Sequence, residues 1–142
     1  MPQKITTGYR ALVDSAMREV ETIPIDQALE LANRDDTVLV DIRDIRELQR
    51  DGKVPGAVHV PRGMLEFWID PNSPYHKPVF NQDKKYVFFC AGGLRSALAA
   101  QTAQNMGLKP VAHIEGGFGA WKKAQGSIEP PTHPPAPKKA EP

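Results

Sequence analysis

Short runs of β-branched and aromatic residues recur along this chain with helix-patterned stretches between them. They fall at residues 37–42 (TVLVDI), 86–89 (YVFF) and 111–114 (VAHI). Continuous apolar runs of this length suit strands covered on both faces. Strands that alternate with helices close into a parallel sheet flanked by helices, so an α/β domain is expected. A fourth, very short strand is expected at residues 57–60 (AVHV), between Pro55-Gly56 and Pro61-Arg62-Gly63.

The helical stretches can be placed from period and punctuation. Residues 10–22 carry Leu12, Ala16, Val20 and then Ile23 at helical spacing, and Pro24 ends the run. A second helix, QALELANR over residues 27–34, follows, with Asp26 expected as its N-cap. Residues 46–51 form a brief turn of helix closed by Gly52. Residues 95–106 form an Ala-rich helix followed by Gly107, and residues 118–125 form a closing helix after the Gly116-Gly117 turn. The expected organisation is a helical extension over residues 1–22, a domain over 23–126 and a Pro-rich tail over 127–142. The last fourteen residues hold six of the fourteen prolines and no large apolar side chain, so they are expected to be disordered. A polyproline contact with a protein partner is an alternative role for them.

Composition narrows the function classes. Eighteen basic against seventeen acidic residues leave a net charge of +1, which offers no electrostatic basis for nucleic acid or membrane surfaces. The N-terminal stretch MPQKITTGYRALVDSAMREV lacks the apolar core of a secretory signal, and no run is long enough to span a bilayer, so a cytoplasmic location is expected. A single cysteine, Cys90, excludes an internal disulfide and a cysteine-rich zinc site, and no metal or organic cofactor is expected.

Cys90 stands where chemistry gathers in open parallel sheets, at the C-terminal end of a strand and just before a helix. The connecting loop reads Cys90-Ala91-Gly92-Gly93-Leu94-Arg95-Ser96. Consecutive glycines let the backbone curl so that successive N–H groups point at one spot. The helix start adds free N–H groups and its positive dipole end, and Arg95 adds a permanent charge. Each feature favours a thiolate over a thiol and an anion beside it. A free cysteine is often just a small core residue, but a core thiol gains nothing from a Gly-Gly-x-Arg-Ser continuation. His59, His76, His113 and His133 are scattered, so sequence pairs none of them with Cys90 as a base. Attack on carbon generally requires an acid for the leaving group. Attack on a sulfane sulfur does not, because sulfite departs as a stable anion. A lone cysteine also suits a persulfide carrier better than dithiol redox chemistry.

With those residues in place, the loop resembles the active-site loop of single-domain rhodaneses, the thiosulfate sulfurtransferases. Three further segments agree in order: Leu39-Val40-Asp41-Ile42-Arg43-Asp44 through Glu47, Gly52-Lys53-Val54-Pro55-Gly56-Ala57-Val58-His59-Val60-Pro61, and Glu115-Gly116-Gly117-Phe118-Gly119-Ala120-Trp121. The resemblance covers residues 23–126 and implies a five-stranded parallel sheet with helices on both faces. It implies that Cys90 carries a persulfide and that Arg95 binds an anionic donor. The amides of Ala91, Gly92, Gly93, Leu94, Arg95 and Ser96 then hold the transferred sulfur. The implied partners are a small anionic donor such as thiosulfate and a thiol or cyanide acceptor. Lys53 stands where the family usually has His, which reads as a surface difference. Related phosphatases of this fold have a loop one residue longer, whereas four residues separate Cys90 from Arg95 here. A phosphatase or arsenate reductase is therefore the weaker alternative, beside a non-enzymatic persulfide carrier or docking module.

Other residues read as structural. Asp41, Arg43 and Glu47 suit an ion-pair cluster pinning the loops around the site. His59 suits a hydrogen-bonded rim position, and Phe118 and Trp121 suit helix packing. The aromatic, Pro-rich segment 64–82 either flanks the Cys90 pocket as a lid or packs over the sheet edge.

Overall fold

The computed structural model describes residues 2–132. Its five strands are β1 (Glu21–Ile23), β2 (Thr37–Asp41), β3 (Val58–His59), β4 (Lys85–Phe89) and β5 (Val111–Ile114). They form one sheet in the order β1-β5-β4-β2-β3, and every pairing is parallel. The central strands β2, β4 and β5 are buried almost along their whole length, which is why they read as unbroken apolar runs. The edge strands β1 and β3 are three and two residues long, and edges this short offer little ladder for stray pairing.

Among the described residues six α-helices complete the fold: α1 (Tyr9–Glu19), α2 (Ile25–Leu31), α3 (Ile45–Asp51), α4 (Leu65–Ile69), α5 (Leu94–Asn105) and α6 (Gly117–Lys123). They leave a core on each face of the sheet. The strand period of two divides β4 between the two cores. Tyr86, Phe88 and then Cys90 join the core beneath α4 and α5, while Val87 and Phe89 join Ala28, Phe118 and Trp121 beneath α2 and α6. Burying each of Phe88 and Phe89 contributes about 1.5–3 kcal/mol of transfer free energy. The fully buried Ala97, Ala99, Ala100 and Ala103 give α5 a flat, methyl-lined face toward its neighbours. Across it lies α1, through Val13 and Ala16 against Ala97. No helix among the described residues is long and apolar enough to cross a membrane.

The structure corrects the sequence reading in several places. The helix expected over residues 10–22 ends at Glu19, and residues 21–23 form β1 instead, paired in parallel with β5. Ile23 fits the helical period, but it is buried as a strand residue. Pairing with the open edge of β5 outweighs a weak local preference. Asp26 is not the N-cap of α2. Pro24 takes that position, and Asp26 sits in the first turn, where a carboxylate still complements the helix dipole. Composition placed residues 127–129 in the tail, yet they lie against the domain. Trp121 Nε1 donates to the Ser127 carbonyl at 2.8 Å, Ile128 packs on the core, and Lys53 and Glu129 exchange backbone hydrogen bonds at 3.1 and 2.8 Å. Residues 133–142 of the expected disordered tail lie outside the described residues.

The segment 64–82 is ordered cover for the sheet. Leu65, Ile69 and Phe80 are buried with Trp68 packed against them, and the Phe80 ring stacks on Tyr86 at 5.6 Å. Phe67 and Tyr75 remain exposed, edge to face at 6.3 Å. These contacts place its main apolar side chains in packing, the second of its two expected roles.

Candidate active site

Parity along β4 turns the Cys90 side chain toward the face on which α5 begins. There Cys90 is 1% exposed. Gly93 adopts φ +107°, a conformation that L side chains avoid, and so brings its N–H to 3.1 Å from Cys90 Sγ. The Ser96 N–H, in the first turn of α5, lies 3.3 Å from the same atom. The first four amides of a helix have no intrahelical acceptor, so Sγ takes an orphan donor and receives the positive end of the dipole. Two backbone N–H groups thus converge on one sulfur, an arrangement preorganised to donate to charge that builds there during a reaction.

The other side of the loop is anchored by α6. Phe118 N–H donates to the Cys90 carbonyl at 2.7 Å and Gly119 N–H to the Ala91 carbonyl at 2.9 Å. This approach requires Gly117 at φ +58°, because a Cβ there would collide with the Cys90 carbonyl oxygen. Gly117 therefore has a structural part in the site that its place in a Gly-Gly turn did not suggest.

The structure brings the residues of the loop together unequally. Gly93 and Ser96 are buried with their amides on the sulfur. Ala91, Gly92, Leu94 and Arg95 are exposed around it. The Arg95 guanidinium makes two parallel bonds to Glu47, at 2.9 and 3.0 Å, and keeps 46% of its side chain exposed. Glu47 is itself placed by α3, where Asp44 and Glu47 form a reciprocal capping box. The Arg95 guanidinium holds the Glu47 carboxyl below the usual carboxylate range.

Glu47 thus makes its ion pair with Arg95 and not with Arg43, to which the sequence reading joined it, although the Arg43 charge also helps to hold its carboxyl down. Asp41 and Arg43 pair with each other, both 1% exposed, with Arg43 also donating to the Gly52 carbonyl at 2.9 Å and lying 4.1 Å above the Phe118 ring. The Asp44-x-x-Glu47 spacing is a legible capping signal, and it would have placed Glu47 on the first turn of a helix facing outward. His59 Nε2 lies 2.7 Å from the Arg43 carbonyl; a carbonyl only accepts, so this nitrogen carries the proton. Among the described residues, no three His, Cys, Asp or Glu side chains gather in a metal-ligating arrangement.

Comparison with known proteins gives the chain a family. Residues 25–124 match the model of the rhodanese-like domain. A mouse thiosulfate sulfurtransferase/rhodanese-like domain-containing protein is 31% identical over 96 residues, 64% of this chain; the match spans 61% of the mouse protein's length. A single-domain sulfurtransferase of Saccharomyces cerevisiae superposes with a TM-score of 0.62 at 26% identity, over 78% of this chain and 96% of its own. A Rhodopseudomonas palustris protein of unknown function, described as a possible tyrosine phosphatase, shares 63% identity. It has a TM-score of 0.89 over 91% of this chain and 99% of its own. The family model spans every strand of the sheet except β1 and contains the whole Cys90 loop, and on that match the chain belongs to the rhodanese-like domain family.

Proposed function

We propose that this protein is a sulfurtransferase that carries sulfur as a persulfide on Cys90. The observation that supports it most is the pair of backbone N–H groups, from Gly93 and Ser96, aimed at Sγ. In the first half-reaction the Cys90 thiolate attacks the outer sulfur of thiosulfate. The new Sγ–S bond forms as the S–S bond of the donor breaks, and its electron pair leaves with sulfite. The loop amides are preorganised for the negative charge that the persulfide retains. In the second half-reaction an acceptor, cyanide or a thiolate, attacks the terminal sulfur, and the Sγ–S pair returns to Cys90. The scheme uses no metal and no organic cofactor. Arg95, at the exposed rim, attracts the anionic end of the donor.

Intact mass after incubation with thiosulfate and desalting tests this reading. The wild type is expected to gain one sulfur atom that cyanide removes, and Cys90→Ser to gain none. No gain from thiosulfate or mercaptopyruvate, combined with Cys90-dependent hydrolysis of p-nitrophenyl phosphate, would favour phosphatase chemistry. The four-residue spacing from Cys90 to Arg95 and the engagement of Arg95 by Glu47 support the sulfur-transfer reading over that one.

The Arg95–Glu47 pair also carries a kinetic expectation. Glutamine at position 47 keeps an acceptor for the Asp44 N–H but loses the charge that competes with the donor for Arg95. Glu47→Gln is expected to lower KM for thiosulfate by up to about five-fold, the range open to a partly exposed ion pair. A raised KM in steady-state assays would mean that Glu47 orients Arg95 for the donor.

A further inference from the structure

His113 is fully buried on β5 and takes no part in the scheme above. Strand parity points it, like Val111, toward the α5 face. Its Nδ1 lies 3.2 Å from Ser96 Oγ and its Nε2 lies 3.0 Å from Thr22 Oγ1. Ser96 Oγ in turn lies 3.3 Å from the Gly93 carbonyl. Proton counting sets the direction of this chain. A carbonyl only accepts, so the one hydroxyl proton of Ser96 goes to Gly93, and His113 must then donate from Nδ1. Nε2 is left to accept from the Thr22 hydroxyl. Burial pushes the His113 imidazole below its usual range, which keeps it in the neutral form this pattern requires.

The chain ends on Ser96 and Gly93, the two residues whose amides hold Cys90 Sγ. We infer that His113 is a positioning residue of the Cys90 cradle: through Ser96 Oγ it fixes the tie between Gly93 and Ser96 and so keeps both amides on the sulfur. Thr22, which completes the chain, lies on β1, upstream of residues 25–124. An apolar residue at 113 leaves the Ser96 hydroxyl without its buried partner, and the tie to Gly93 is no longer held in one rotamer.

Amide hydrogen exchange measured by NMR tests this apart from turnover. Ser96→Ala and His113→Leu are expected to speed exchange of the amides at positions 93 and 96 by about ten-fold, leaving Ala99–Ala103 inside α5 unchanged. His113→Asn restores an N–H donor toward Ser96 and is expected to stay within about two-fold of wild type. Wild-type rates at both amides in the two deleting variants would overturn the inference. So would faster exchange spread evenly over α5 and β5 with no rescue by asparagine. Should His113→Leu fail to fold, Ser96→Ala, which removes a single hydroxyl, decides between the same outcomes. The inference takes Cys90 as the reacting group from the proposal above, but a wild type that gains no sulfur from thiosulfate would reject only that proposal, since the exchange pattern reports the cradle itself.

Discussion

Arg43→Met is expected to lower the free energy of unfolding by about 3–5 kcal/mol, because it strands a buried carboxylate. The Asp41 carboxylate receives Arg43 Nε at 3.0 Å and Nη2 at 2.8 Å, and among the described residues its only other donor is the Arg43 backbone N–H at 3.0 Å. Both side chains are 1% exposed, so water cannot take over when the guanidinium is removed. Desolvation of the remaining charge then outweighs the packing that methionine restores. The variant also loses the bond to the Gly52 carbonyl and the contact with Phe118, which tie the β2–α3 connection to the rest of the domain. That connection leads to Glu47, so the loss of order reaches Arg95. Urea denaturation monitored by circular dichroism measures the effect. A change below about 1 kcal/mol would show that water reaches Asp41 once its partner is gone. The double variant Asp41→Leu/Arg43→Met, with no charge left to bury, is expected to recover most of the loss.

Gly117→Ala is expected to reduce turnover by about a hundred-fold, the scale of an ångström-level misplacement of reacting groups. A Cβ at this position would strike the Cys90 carbonyl oxygen and lie 3.0 Å from Ala91 C and O. All three atoms belong to backbone, so the segment bearing the nucleophile has to move. The bonds that α6 makes to the Cys90 and Ala91 carbonyls oppose that movement and are strained with it. Gly107→Ala separates this collision from plain conformational strain. Gly107 also has a positive φ, +106°, but nothing lies within 4 Å of the Cβ it would gain. It is expected to lose about 1–2 kcal/mol of stability and to keep its turnover. Steady-state rates for the two variants, each corrected for its folded fraction, make the comparison. Equal turnover would mean that the Cys90 loop tolerates displacement from the α6 side.

These expectations differ in how they could be reached. The position of Cys90 is legible locally: a β-branched and aromatic run, then a thiol, two glycines, an arginine and an Ala-rich helix, all within about twenty residues. The strand period even states which face Cys90 shares with Tyr86 and Phe88. Four of the five strands announce themselves in the same way. β1 does not, because Val20 and Ile23 satisfy a helical period equally well, and only the open edge of β5 decides between the two. Glu47 could be assigned to the first turn of α3 from its capping box, but not to Arg95, from which it is separated by two β-strands, a helix and a long loop.

The sequence by itself determined that this chain builds a parallel sheet and that its one thiol stands at the end of a strand, before a glycine-rich helix start. Those features depend on periodicity, backbone freedom and dipole direction, which act over a few neighbouring residues. Only the tertiary structure decided that Gly117 abuts the Cys90 carbonyl, that Glu47 occupies Arg95 and that His113 bridges Thr22 and Ser96. Such contacts join residues far apart in the chain, and no local preference encodes them; they exist because packing two cores onto one sheet brings those elements within hydrogen-bonding distance.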